Sequence, residues 1–181
     1  MSDRFERAVA RREEGERLRK AGDSDGALLA YLEAVALLRD CDAPLKLAHT
    51  LRHLGDVHRE RGDLSDAADC YAEALGLYRA SPAASTLDLA DAVRSFAVLQ
   101  DAAGDAAVAE VLWDEARSLY RRAHVPAGVA NSASRVALLR WKRGERADVD
   151  ALLTEATHAA HDADDPVALE KVDEIRNLID A

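Results

Sequence analysis

Cysteine is scarce in this sequence: 181 residues hold only two, Cys41 and Cys70. Two thiols cannot build a disulfide framework or a four-thiolate zinc site, so a reducing compartment is the default and a cytoplasmic location the expectation. Positive charge is also short, with 24 Lys and Arg against 34 Asp and Glu and a net charge of −10. That balance argues against nonspecific binding to duplex nucleic acid, which needs clustered cations to displace counterions. No apolar run approaches the ~18 residues that would span a membrane, and the start, Met1-Ser2-Asp3-Arg4-Phe5-Glu6-Arg7, has charges where a secretion signal needs an apolar core. What is present is 49% hydrophobic and 32% charged, the balance of a folded globular chain; a disordered one would be poorer in Leu and Val.

Four of the nine glycines carry a pattern. Gly22, Gly62, Gly104 and Gly144 are each followed by an acid (Asp23, Asp63, Asp105, Glu145), at separations of 40, 42 and 40 residues. Five residues after each glycine stand Ala27, Ala67, Ala109 and Val149, all small. Nine residues after it stand Tyr31, Tyr71, Trp113 and Leu153, all large, and twelve after it Ala34, Ala74, Ala116 and Ala156. Seven residues before it stand Gly15, Gly55, Ala97 and Ala137. Size agreement at five positions in four copies identifies a repeat.

One copy explains the physics. Leu51, Leu54, Val57 and His58 recur at helical spacing, and Gly62 then offers the left-handed conformation that ends a helix cheaply. Asp63 or Ser65 can cap the next helix, whose apolar face holds Leu64, Ala67, Ala68, Tyr71, Leu75 and Tyr78. Gly55, Ala67 and Ala74 let the two helices approach, and Tyr71 fills the space toward the next copy. Each antiparallel pair leaves apolar surface uncovered, so the pairs must stack. Pro44, Pro82, Pro126 and Pro166 fall between a second helix and the next first helix, where a missing N–H costs little. The spacing predicts helices at about 4–21, 24–41, 44–61, 64–80, 86–103, 106–123, 127–143, 146–162 and 166–180.

The series Leu54-Gly55…Gly62…Ala67…Tyr71…Ala74 resembles the tetratricopeptide repeat (TPR) over residues 8–162, in a long-period form like that of kinesin light chains. The resemblance implies an all-α, right-handed α-solenoid: a single domain over 1–181 with repeats at about 8–43, 44–83, 84–125 and 126–163 and a capping helix at 166–180. It further implies a concave groove lined by the first helix of each pair. Carried over position by position, the groove residues are Arg12 and Arg19 in the first copy and His49, Arg52, His53 and Arg59 in the second. The third contributes Arg94, and the fourth Asn131, Arg135 and Trp141.

Arg12, Arg52 and Arg94 share one repeat position, and Arg135 lies one residue off it. A ladder of arginines in the groove would attract acidic peptide segments, because guanidinium grips carboxylate bidentately. Alternatively each arginine pairs with a neighbouring acid such as Glu16 or Asp56. His49 and His53 have a spacing that can hold a metal, but no third ligand is evident, and two groove histidines are the reading adopted. Trp141 either anchors a partner side chain or receives the last helix. Residues 1–20 carry seven basic and five acidic side chains and residues 145–181 three and eleven, which fits either head-to-tail association or a solvated terminal face.

There is no phosphate loop, nucleophile elbow or HExxH motif. The expectation is a non-catalytic interaction module with no cofactor or metal. It binds a peptide or helix of a protein partner, acidic under the ladder reading, without direct contact to nucleic acid or membrane, as a monomer or weak homo-oligomer. The alternatives are a self-assembling structural oligomer and the sensor part of a bacterial transcription or signalling regulator.

Overall fold

The structure, a computed structural model, describes residues 2–180; the two chain ends of the expected 1–181 domain lie outside the described residues. Among the described residues there are nine helices and no strand: α1 (Ser2–Lys20), α2 (Ser24–Arg39), α3 (Pro44–Arg61), α4 (Leu64–Ala80), α5 (Thr86–Ala103), α6 (Ala106–Arg122), α7 (Pro126–Lys142), α8 (Val149–Asp162) and α9 (Pro166–Asp180). The helices divide into two compact units, with the boundary between Ala84 and Ser85.

The repeat spacing has a backbone cause. Gly22, Gly62, Gly104 and Gly144 all lie in the left-handed region, at φ of 82°, 87°, 83° and 82°. Each lets the following acid donate its backbone N–H back across the helix end. Asp23 donates to the Leu18 carbonyl at 3.0 Å, Asp63 to His58 at 2.9 Å, Asp105 to Gln100 at 3.0 Å and Glu145 to Arg140 at 2.9 Å. This closure satisfies carbonyls that the helix would otherwise leave orphaned. The acids then enter the second helix in different ways. Asp23 accepts from the Gly26 N–H at 2.9 Å and Asp105 from the Val108 N–H at 3.2 Å. Asp63 makes no such cap and turns toward Arg61 (3.4 Å) and His58 (3.6 Å).

In the first unit α1 packs on α2, α3 on α4, and α2 on α3. Tyr31 and Tyr71 are fully buried at the hairpin centres. A Cβ on Gly15 would meet the Tyr31 ring at 3.0 Å, and one on Gly55 would meet Tyr71 Cε1 at 2.7 Å. The aromatic ring therefore lies on bare backbone. In the second unit α5 pairs with α6, α7 with α8, α6 packs on α7, and α9 lies against α8 and α7. Here Ala97 and Ala137 occupy the glycine positions, and Trp113 and Leu153 the large ones, all four buried. The α6–α7 corner has its own close approach, since a Cβ on Gly128 would collide with the Tyr120 ring.

The helices begin and end close to where the sequence places them, except α8. Its expected start at 146 moves to Val149. Arg146 turns out to lie over the Trp141 ring, 5.1 Å from its centroid, and Arg140 holds Asp148 at 3.3 Å, so the segment after Gly144 is anchored outside the helix.

Candidate functional site

In the first unit the first-helix face is an ionic network centred on Asp56, which is 7% exposed. The Tyr71 hydroxyl donates to Asp56 Oδ1 at 2.8 Å. Arg19 approaches Oδ2 at 3.4 Å, Arg52 at 3.9 Å and His53 Nδ1 at 3.6 Å. Burial alone would raise the Asp56 carboxyl, but His53, Tyr71, Arg52 and Arg19 outweigh it and hold the group at about 2. Arg52 is itself 9% exposed and places Nη2 3.2 Å from His53 Nε2. Because guanidinium only donates, this geometry makes His53 Nε2 an acceptor and puts the ring proton on Nδ1, facing Asp56. His49 meets His53 edge-on, with Nε2 atoms 3.2 Å apart. Around this centre Arg19 grips Glu60, Arg59 lies 3.6 Å from Glu60, Lys20 holds Glu16 at 2.7 Å, and Arg12 reaches Glu13 at 3.5 Å.

The corresponding face of the second unit is built differently. Six residues before their loop glycines, where the first unit has Glu16 and Asp56, stand Val98 and Leu138. Arg94, Asn131, Arg135 and Lys171 line a cavity of ≈ 500 Å³ whose apolar walls include Val98, Leu138, Trp113, Ile175 and Leu178. Arg135 pairs with Asp101 and lies over Trp113, 6.0 Å from the ring centroid. The Tyr120 hydroxyl donates to Asp91 at 2.6 Å; burial, then Asp91, push that phenol upward, and Arg94 opposes them. The volume falls within the roughly 300–1,000 Å³ of ligand pockets.

Neither a protein-family model nor a curated protein matches the sequence. Solved structures do match in fold. Aspartyl phosphate phosphatase F from Bacillus subtilis superposes with a TM-score of 0.88 at 11% identity, over 99% of this chain. This chain spans 46% of that protein's length. A putative kinesin light chain of Podosopora anserina with nearly identical TPR-like repeats matches at a TM-score of 0.67 and 12% identity, covering 98% of this chain and 96% of that one. BtubC from P. vanneervenii matches at 0.63 and 16%, covering 99% and 92%. This chain has the TPR-like fold. At these identities the likeness is one of fold alone. Seen as TPR-like hairpins, the first helices are α1, α3, α5 and α7, and all ten expected groove residues lie on them.

The structure draws eight of those ten into two groups. Arg19, Arg52 and His53 converge on Asp56, with His49 beside His53 and Arg59 beside Glu60. Arg94, Asn131 and Arg135 line the cavity. Arg12 lies beside Glu13, and Trp141 carries Arg146. Two contributors were not anticipated. Tyr71 was assigned to space-filling, yet its hydroxyl fixes Asp56. The capping helix α9, expected as a terminal cap with Trp141 as one candidate seat, brings Lys171, Glu174, Ile175 and Leu178 to the cavity wall. Its amphipathic pattern carried that signal, since a helix with one apolar side needs a surface to lie on. Among the described residues no group of three or more His, Cys, Asp or Glu could hold a metal ion, and no helix is long and apolar enough to cross a membrane.

Proposed function

We propose that this TPR-like chain is a non-catalytic, cytoplasmic adaptor that binds an acidic, partly apolar peptide or helical segment of a partner protein on the first-helix face of residues 86–180. The observation that carries this reading is the pairing of apolar walls (Val98, Leu138, Ile175, Leu178) with Arg94, Arg135 and Lys171 around one cavity. Apolar side chains of the ligand enter the cavity, while its carboxylates meet the cations at the rim. Asn131 supplies an amide for the ligand backbone. The first-unit arginines contribute less, because Asp56, Glu60 and Glu13 occupy them and the cavity's apolar walls lie in the second unit; Arg135 also has an acid partner, Asp101, so Arg94 and Lys171 supply the ligand's main cationic contacts.

Selection from a displayed random-peptide library tests the proposal. The expected result is enrichment of sequences combining Asp or Glu with aliphatic residues, and loss of their binding to the double variant Arg94→Glu, Arg135→Glu. Unchanged binding to that variant, or no enrichment, would refute it. A second reading, self-association, rests on the exposed Val167 (58%) and Leu178 (48%) of α9. Light scattering over a range of concentrations separates the two, since a strict monomer eliminates self-association.

A further inference from the structure

The second helices offer an independent surface. Measured from the loop glycines, the groove between α2 and α4 and the groove between α6 and α8 are the same place in the repeat. Each is bridged by the same pair, an arginine seventeen residues after one glycine and a glutamate eleven after the next. Arg39 meets Glu73 at 2.8 Å in the first unit, and Arg121 meets Glu155 in the second.

Beyond that bridge the two grooves diverge. Between α6 and α8 further charges pair with one another. Arg117 contacts Asp114 at 2.6 Å and Glu155 at 2.7 Å, while Arg140 contacts Glu110 at 2.9 Å and Asp148 at 3.3 Å. At the offsets of Glu110, Asp114 and Arg117 the first unit has Leu28, Leu32 and Val35. The lattice is therefore absent there, and a groove of ≈ 380 Å³ remains, lined by Leu32, Val35, Ala36, Leu51, Leu54 and Cys70. Leu32 is 44% exposed, and Leu29, three residues before it, is 63% exposed.

The rim is acidic. Asp66, Asp69 and Glu73 border the groove, with Arg39 and His58 as the basic residues facing them. Arg39 is engaged by Glu73. Asp66, the counterpart of Asp148, has His58 at 4.0 Å where Asp148 has an arginine. Neither Asp66 nor Asp69 pairs with an arginine or lysine among the described residues. Burial, with Glu73, Asp66 and Asp69 adding to it, pushes the Cys70 thiol up to about 11, in keeping with a locally negative field.

We propose that the α2–α4 groove docks a basic amphipathic helix of a partner protein. Aliphatic side chains at i, i+3 and i+4 spacing fill the floor along Leu32 and Val35, and flanking lysines or arginines meet Asp66 and Asp69. This surface shares no residue with the cavity assigned to an acidic ligand, and its ligand carries the opposite charge.

The probe is a blocked synthetic helix of roughly 18 residues, leucine on one face and lysine on the other, with a twin in which glutamate replaces every lysine. Both are titrated against the full chain by fluorescence anisotropy and methyl NMR. The lysine peptide is expected to bind at least about tenfold more tightly than its twin. Methyl signals of Leu32, Val35 and Leu54 should shift while those of the exposed Val108 and Val111 stay in place. The double variant Asp66→Lys, Asp69→Lys, and separately Leu32→Asp, should each weaken binding by about tenfold or more. These positions are solvent-exposed, so folding is preserved, and circular dichroism verifies it. A control, Glu170→Lys with Asp173→Lys, changes net charge equally on α9 and should leave affinity within about twofold. Equal affinity for the two peptides, shifts outside the groove, or a control as damaging as the groove variant would each overturn the proposal.

Discussion

The two units use the same repeat grid for opposite purposes. Six residues before the loop glycine, the first unit has Glu16 and Asp56 and the second has Val98 and Leu138. With carboxylates at that position, the arginines of the first-helix face are consumed internally: Asp56 draws in Arg19, Arg52 and His53. With aliphatics there, Arg94 and Arg135 border an apolar cavity, Arg135 keeping an acid partner in Asp101. On the second-helix side the positions exchange character, with paired charges at Glu110, Asp114 and Arg117 in the second unit and Leu28, Leu32 and Val35 in the first. A repeat position therefore fixes where a side chain stands and leaves open whether it is a lock or a surface.

The sharpest way to break this comparison is to remove the lock. Asp56→Ala strips a buried carboxylate from Arg52 and the Tyr71 hydroxyl, and should destabilise the first unit by about 3–5 kcal/mol in chemical denaturation. Val98→Ala, at the equivalent position of the second unit, should cost clearly less.

Acid sharpens the same contrast. The Asp56 carboxyl is depressed from 3.8 to about 2, so its contribution is complete above the unfolded value and disappears as pH falls toward the folded one. Stability of about 2 kcal/mol should therefore be lost between roughly pH 4 and pH 2. Asp56→Asn should flatten that part of the profile, as measured by denaturation at stepped pH.

Hairpin packing gives the next effect. Gly55→Ala forces a Cβ to 2.7 Å from the Tyr71 ring and should cost about 1–3 kcal/mol. Gly76→Ala, also helical and in the same unit but with open space at its Cβ, should be neutral or slightly stabilising. The smallest effect is a gain. His124 takes a left-handed backbone at φ 55°, ending α6 as the glycines end the first helices. His124→Gly relieves that conformation and should stabilise the second unit by up to about 1 kcal/mol, read from the shift in denaturation midpoint.

The helices were legible because their ends obey a backbone requirement. Only glycine enters the left-handed region without penalty, so four glycines at nearly constant spacing mark four turns. His124 and Asp164 make similar turns at φ 55° and 50° and carry no such mark, being chemically unlike each other. The start of α8 was misplaced because Arg146 and Asp148 are claimed by Trp141 and Arg140, contacts with no periodic signature. The site was legible only as a set of positions. Which arginines are occupied depends on bonds such as Tyr71 to Asp56, which cross between helices and follow from rotamers. The wall that α9 gives the cavity depends on where a helix outside the repeat comes to rest.

The closing bonds at the four glycine turns span only five residues each, as from Asp63 back to His58. Little chain entropy is spent in making such short loops, so they can form as soon as their segment is synthesised. During translation the second hairpin of each unit can dock on the first as it emerges, as α3 does on α2 and α7 on α6, so the nascent chain need not wait for its final residues to begin folding.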